Sequence, residues 1–367
     1  MTETPKPNAG STKLTAVALY LPQYHPIPEN DEWWGKGFTE WTNVTKALPL
    51  FRGHHQPNLP ADLGFYDLRV PEVREAQAAL AKGYGVGAFC YYHYWFGDGR
   101  RLLNRPFDEV LESGRPDFPF MLCWANETWS GVWHGVPGKT LIEQRFPGHD
   151  DEVAHFTLLL TAFQDKRYLR VDGKPVFMIY RPARIPNLGE MLTHFQEMAV
   201  AAGLPGLYLV AEHHDPHWDC EASGFDAFVN MAALDRRRKW VPWAQPVKKI
   251  KNWVLKKLKR PTIRQYEKLA EHFVPGAASS LAIPCVVSGW DNTPRSGAEG
   301  LVLQGATPAG FEAQVRRAVN RINATGSKSG LLFIKSWNEW AEGNHLEPCR
   351  RFGHGYLQAL QRALGKG

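Results

Sequence analysis

Short apolar runs recur along the chain, at Ala16–Leu21, Gly87–Tyr92, Pro119–Trp124, Val176–Tyr180, Leu207–Ala211, Phe225–Val229, Ile283–Ser288 and Leu331–Ser336. They are nearly continuous rather than alternating, the pattern of parallel strands covered on both faces. Segments with apolar positions at helical spacing lie between several of them, at Val70–Lys82, Asp151–Gln164, Met191–Ala202 and Gly310–Thr325. Eight strands alternating with helices predict an α/β fold, a single (β/α)8 TIM barrel. A doubly wound sheet is the alternative. It should carry a Gly-rich phosphate loop after the first strand, where this chain reads Pro22-Gln23-Tyr24-His25. The expected organisation is a disordered tail over residues 1–13 and one catalytic domain over 14–367, with a basic insertion at about 230–280.

Two long loops depart from the barrel pattern, residues 22–68 after the first strand and residues 230–280 after the sixth. Long loops on a barrel sit over the active face and shape its pocket. The second holds the charge asymmetry of the chain. Of 43 Lys and Arg, 11 fall within residues 236–260, a stretch without Asp or Glu; the remaining 32 face 37 acidic residues, so the net +6 becomes −5 outside it. That is a local partner signal, and it excludes a nucleic-acid-binding body. Ile250, Trp253, Val254 and Leu258 recur at helical spacing among the lysines. A basic amphipathic helix of this kind reads either as a solvated helix docked on the barrel or as an attachment to an anionic membrane surface or acidic polysaccharide.

The 367 residues fit one barrel with insertions. Five scattered cysteines without CxxC spacing read as reduced thiols, and no apolar run precedes Leu14. Both point to a cytoplasmic protein, peripheral to the inner membrane if the basic segment binds lipid. The 14 tryptophans exceed what a core needs, and their flat faces suit sugar rings.

Barrel chemistry sits at the C-terminal strand ends. Those ends offer Gln23 and His25, Tyr91 and His93, Trp124, Asn126 and Glu127, His213, Trp290 and Asp291, and Asn338, all taken as substrate-binding candidates. Sugar hydroxyls need many directional partners, which such a mixture supplies. After the last strand, Glu339 and Glu342 lie three apart. Glycosidic cleavage needs one protonated and one ionised carboxyl group, and two acids on one face of a helical turn would push their pKa values apart. They are the catalytic candidates. His25, His93, His213 and His214 admit a zinc reading, but strand one ends in Gln23-Tyr24-His25 rather than His-x-His, so no metal is expected in the chemistry.

Ala18-Leu19-Tyr20-Leu21-Pro22-Gln23-Tyr24-His25, Gly37-Phe38-Thr39-Glu40-Trp41, Tyr91-Tyr92-His93-Tyr94-Trp95-Phe96, Trp124-Ala125-Asn126-Glu127, Gly289-Trp290-Asp291-Asn292-Thr293-Pro294-Arg295 and Trp337-Asn338-Glu339-Trp340-Ala341-Glu342-Gly343 together resemble the WbsX family, from Leu14 to Leu364. Its members are named as glycosyltransferases of polysaccharide-biosynthesis loci and resemble glycoside hydrolase family 99. That resemblance implies a retaining hydrolase on an α-mannoside or α-rhamnoside, without a cofactor. Glu339 would be the base that deprotonates the sugar 2-OH and Glu342 the acid on the leaving oxygen. The expected function is cleavage of an α-linked sugar in a bacterial surface oligosaccharide or polysaccharide. A glycosyltransferase of O-antigen or lipopolysaccharide biosynthesis is the first alternative, although a Rossmann-like fold and an Asp-x-Asp are missing. A non-catalytic glycan-binding protein is the second.

Overall fold

The computed structural model describes residues 14–131, 140–213, 219–231, 234, 260–274, 280–325, 327 and 329–365. The expected tail over residues 1–13 and nearly all of the basic stretch 236–260 lie outside the described residues.

Eight strands form the barrel: β1 Thr15–Tyr20, β2 Val86–His93, β3 Phe120–Trp124, β4 Lys174–Ile179, β5 Tyr208–His213, β6 Ala227–Asn230, β7 Cys285–Val287 and β8 Leu331–Lys335. Each overlaps a run picked out by hydropathy. All neighbouring pairs are parallel, in the order β7-β8-β1-β2-β3-β4-β5-β6. The ring closes between β6 and the chain just before β7. Phe228 donates its N–H to the Leu281 carbonyl at 3.0 Å, and its own carbonyl accepts from Ile283 N–H at 2.8 Å. Strands buried on both faces cannot show a polar face, which is why their sequences run apolar without alternation.

Helices cover the outside. They are α1 Pro71–Gly83, α2 Arg105–Ser113, α3 His149–Phe163, α4 Leu188–Ala201, α5 Tyr266–Phe273, α6 Pro308–Thr325 and α7 Gly355–Ala363. Proline opens α1, where its missing N–H costs nothing, and Gly114 in the left-handed conformation (φ 71°) stops α2. The outward faces of β1 and β2 pack on these helices through aromatic rings, Tyr20 on Tyr91 at 4.5 Å and Tyr91 on Phe107 of α2 at 5.3 Å. All five cysteines are free and buried. No helix among the described residues is long and apolar enough to cross a membrane.

Candidate active site

The segment after β8 is held before it does anything else. Trp337 N–H donates to the Leu19 carbonyl at 2.7 Å. The Asn338 amide clamps the backbone of Leu21, accepting from its N–H at 2.7 Å and donating to its carbonyl at 3.0 Å. Residues 338–339 then pair antiparallel with 344–345, and Trp340–Glu342 form one 3-10 turn. Glu339 stands just before that turn and Glu342 ends it, and the two carboxylates come together on one guanidinium. Gly343 closes the turn at φ 62°, and a Cβ there would lie 2.9 Å from both Cβ and N of Asp291. The turn is therefore pressed against the loop after β7, with Asp291 N–H on the Glu342 carbonyl at 2.6 Å.

That loop delivers Arg295, whose guanidinium organises the acids. Nη1 donates to Glu342 Oε1 at 2.7 Å, Nη2 to Glu339 Oε2 at 3.1 Å, and Nε to Glu40 Oε1 at 2.8 Å. Glu339 is 4% and Glu342 7% exposed. Glu339 Oε1 and Glu342 Oε2 have no hydrogen-bond partner among the described residues and are open to a ligand. Burial, then the Glu342 charge, push the Glu339 carboxyl up to about 7; Arg295 and Lys335 pull the other way. Lys335, at the end of β8, donates to Tyr92 Oη at 3.0 Å and lies 5.7 Å from the centre of the Trp290 ring. Burial pushes its ammonium down, but Glu339, Glu342 and Glu212 more than offset this, and the lysine stays charged.

The remaining sequence candidates divide. Trp290 faces the lysine beside the acids. Tyr91 does not reach the site: successive strand side chains point to opposite faces, so Tyr91 packs outward on α2 and its neighbour Tyr92 points inward. Asp291 accepts from His54 Nε2 and Gln56 Nε2 at 2.6 Å each through one oxygen, and from the Thr293 N–H and hydroxyl through the other. Its lone pairs are filled, which makes it an anchor for two loops. Asn126 is likewise spent on the backbone of Arg181, at 2.9 and 2.7 Å, and Glu127 on Arg181 Nε at 2.9 Å. His93 sits behind the strand ends against His155 Nε2 at 2.9 Å, and burial depresses its imidazole to about 3. Trp124 donates to the Trp95 carbonyl at 3.0 Å, and His25 to the Pro22 carbonyl at 3.1 Å. The Gln23 carbonyl accepts from Glu40 N–H at 3.0 Å, which sets the third acid in place. The His213 side chain and His214 lie outside the described residues. Trp337 and Trp340, which flank the acids, are fully buried packing residues and not sugar platforms; among the described residues, the half-exposed tryptophans are Trp33, Trp34, Trp129 and Trp290.

A family model described as Glycosyltransferase WbsX matches residues 16–360. The chain belongs to the WbsX family. Two proteins of Xanthomonas campestris pv. campestris, each named uncharacterized protein WxcX, are 38% identical over 95% of this chain. The chain spans about half the length (49%) of these relatives. The WbsX fold is similar to solved structures at low identity. A family 99 endo-α-mannosidase from Bacteroides thetaiotaomicron superposes with TM-score 0.60 at 16% identity, covering 96% of both chains. A glycoside hydrolase-like protein superposes with TM-score 0.56 at 14% identity, covering 99% of this chain and 97% of the other. These likenesses establish the barrel.

Three residues of this WbsX site were not picked out as site residues: Arg295, Glu40 and Lys335. The first two stood inside recognised motifs. The signal that could have found the two cations, Arg295 and Lys335, is charge balance, since several buried acids require buried cations.

Proposed function

We propose that the protein is a retaining glycoside hydrolase, cleaving an α-mannoside or α-rhamnoside type linkage in a bacterial surface polysaccharide with help from the substrate's own 2-OH. The observation that carries this reading is the pair Glu339 and Glu342, bridged by one arginine, each with an oxygen left open, and with one carboxyl raised to about 7. A carboxylate with that affinity for protons is a stronger base than an ordinary glutamate and is matched to neutral pH.

In the first step Glu339 takes the proton of the 2-OH. The 2-oxygen attacks C1 as the glycosidic oxygen departs with the proton of Glu342, giving a 1,2-anhydro sugar. In the second step Glu342 takes a proton from water, the hydroxide adds to C1, and the 2-oxygen recovers its proton from Glu339. Two inversions retain the anomer. Arg295 holds one oxygen of each carboxylate, Lys335 tempers their mutual repulsion, and Trp290 offers a ring face. The glycan contacts assigned to Gln23 and His25 belong to this same proposal; Trp124 does not, since its ring packs on His155 of α3 at 4.7 Å and its N–H is spent on the Trp95 carbonyl.

The test is digestion of α-mannosides and α-rhamnosides with product-anomer analysis. Glu342→Gln should lose about 10²- to 10⁴-fold in rate; full activity in that variant sinks the reading. The family description favours a second reading, transfer of a sugar from a nucleotide donor. Calorimetric binding of a nucleotide sugar, with no hydrolysis of any glycan, would establish it instead.

A further inference from the structure

Outside the barrel, α3 and α4 bring three metal-ligating side chains to one point. His149 and Glu152 lie three apart in the first turns of α3 and so share a face, and His194 lies on the adjoining side of α4. One ligand atom from each falls within 4.8 Å of the others. His149 Nδ1 is 3.3 Å from His194 Nδ1, and His194 Nδ1 is 2.6 Å from Glu152 Oε2. The His194 proton is spent on the carboxylate, so the two facing imidazole nitrogens are poorly served by one hydrogen. Two nitrogen ligands at about 2.0–2.1 Å on a tetrahedral ion stand about 3.3 Å apart, which is the separation found.

We propose that His149, Glu152 and His194 bind a divalent transition-metal ion, zinc fitting best, that ties α3 to α4. Two imidazoles and one carboxylate suit zinc, cobalt, nickel or copper, whereas calcium and magnesium take oxygen ligands. The exposed side of His149 leaves the fourth position to water. The site is set by packing beneath it: Phe156 of α3 meets Phe195 of α4 at 5.5 Å. Asn187, which precedes α4, sits 3.5 Å from the second oxygen of Glu152 and limits its rotation. On ion entry the Glu152–His194 contact opens from its hydrogen-bond length to ligand spacing, and the proton between them leaves. The ion reinforces from outside a junction already made on the active face, where Glu127 after β3 pairs with Arg181 after β4. It takes no part in glycan chemistry.

The experiment is calorimetric titration of zinc chloride into metal-stripped protein, with a thermal melt and a cobalt(II) spectrum. The expected result is one ion per chain at micromolar or tighter affinity, a melting point that rises with zinc concentration, and the visible absorption of tetrahedral cobalt. Magnesium chloride should give none of these. His149→Ala, a change at an exposed position, should weaken zinc binding at least about tenfold, and His149→Ala with His194→Ala should abolish it, both leaving the metal-free melt within a few degrees and glycan turnover unchanged. Should the double variant unfold, Glu152→Gln with His149→Ala gives the same reading. Zinc binding unchanged in these variants, binding no tighter than millimolar in the parent protein, or an octahedral cobalt spectrum would each overturn the proposal.

Discussion

Two buried carboxyl groups, eight residues apart after the same strand, make an instructive pair. Glu339 and Glu347 are both nearly inaccessible, and burial pushes each up to about 7. Their surroundings differ completely. Glu347 is met by neutral donors only: Trp340 Nε1 at 2.6 Å, Gln77 Nε2 at 2.7 Å and Tyr66 Oη at 2.9 Å. It belongs to a closed network under β1 and α1. Glu339 is met by a guanidinium and by like charges, and one of its oxygens is open. A raised pKa is therefore not itself the mark of an active site. What separates the two is an open oxygen beside a second acid.

The largest test of that contrast is paired substitution. Glu339→Gln should cost about 10²- to 10⁴-fold in turnover with little loss of stability, because one buried like charge disappears. Glu347→Gln should do the opposite: turnover within a few fold, but stability lower by about 1–3 kcal/mol, because an amide turns an N–H toward one of three donors. Glycan digestion and urea unfolding of both variants check it, and equal turnover losses would erase the distinction.

Removing Arg295 comes next. Arg295→Met leaves Glu40, Glu339 and Glu342 without their shared cation and should cost about 3–5 kcal/mol. It should also move the rising limb of kcat/KM to higher pH, since Arg295 lowers the Glu339 carboxyl. In the parent protein that limb should turn near 7, as the base must be ionised. A pH–rate profile that is flat across that point removes Glu339 from the role.

Stability should carry the same signature with a defined sign. Both groups rise from 4.5 to about 7 on folding, so the native state holds their protons more tightly than the unfolded chain. Their contribution is fully present below about pH 4.5 and is lost as pH rises through about 7. Urea midpoints across that range should fall less steeply in Glu347→Gln. Smaller again is the turn itself. Gly343→Ala meets both the left-handed φ and the 2.9 Å approach to Asp291, and should cost about 1–3 kcal/mol, read by thermal melting together with weakened turnover.

Much of this was readable along the chain. The eight strands declared themselves as apolar runs because barrel strands are covered twice. Helices α1, α3, α4 and α6 were placed to within about three residues by periodicity. The acid pair was visible as two glutamates three apart after the last strand. The phase of β2 was not: choosing Tyr91 over Tyr92 needs to know which face looks into the barrel. Nor was the fate of Asp291, Asn126 and Asn338, since a polar side chain at a strand end looks the same whether its lone pairs serve a ligand or a neighbouring loop.

Sequence by itself determined the barrel, through strand length and hydropathy, and the family, through motifs spread from the first strand to the last; spacing on one segment brought forward Glu339 and Glu342 as candidates. Tertiary structure alone decided what the acids can do. Arg295 arrives from the loop after β7, Glu40 from the loop after β1, and Lys335 from the end of β8, and no local rule pairs Arg295 with Glu40, 255 residues away. Their convergence sets how far burial lifts the Glu339 carboxyl and which oxygens stay open, and on those two quantities rests the proposal that the two glutamates act as acid and base.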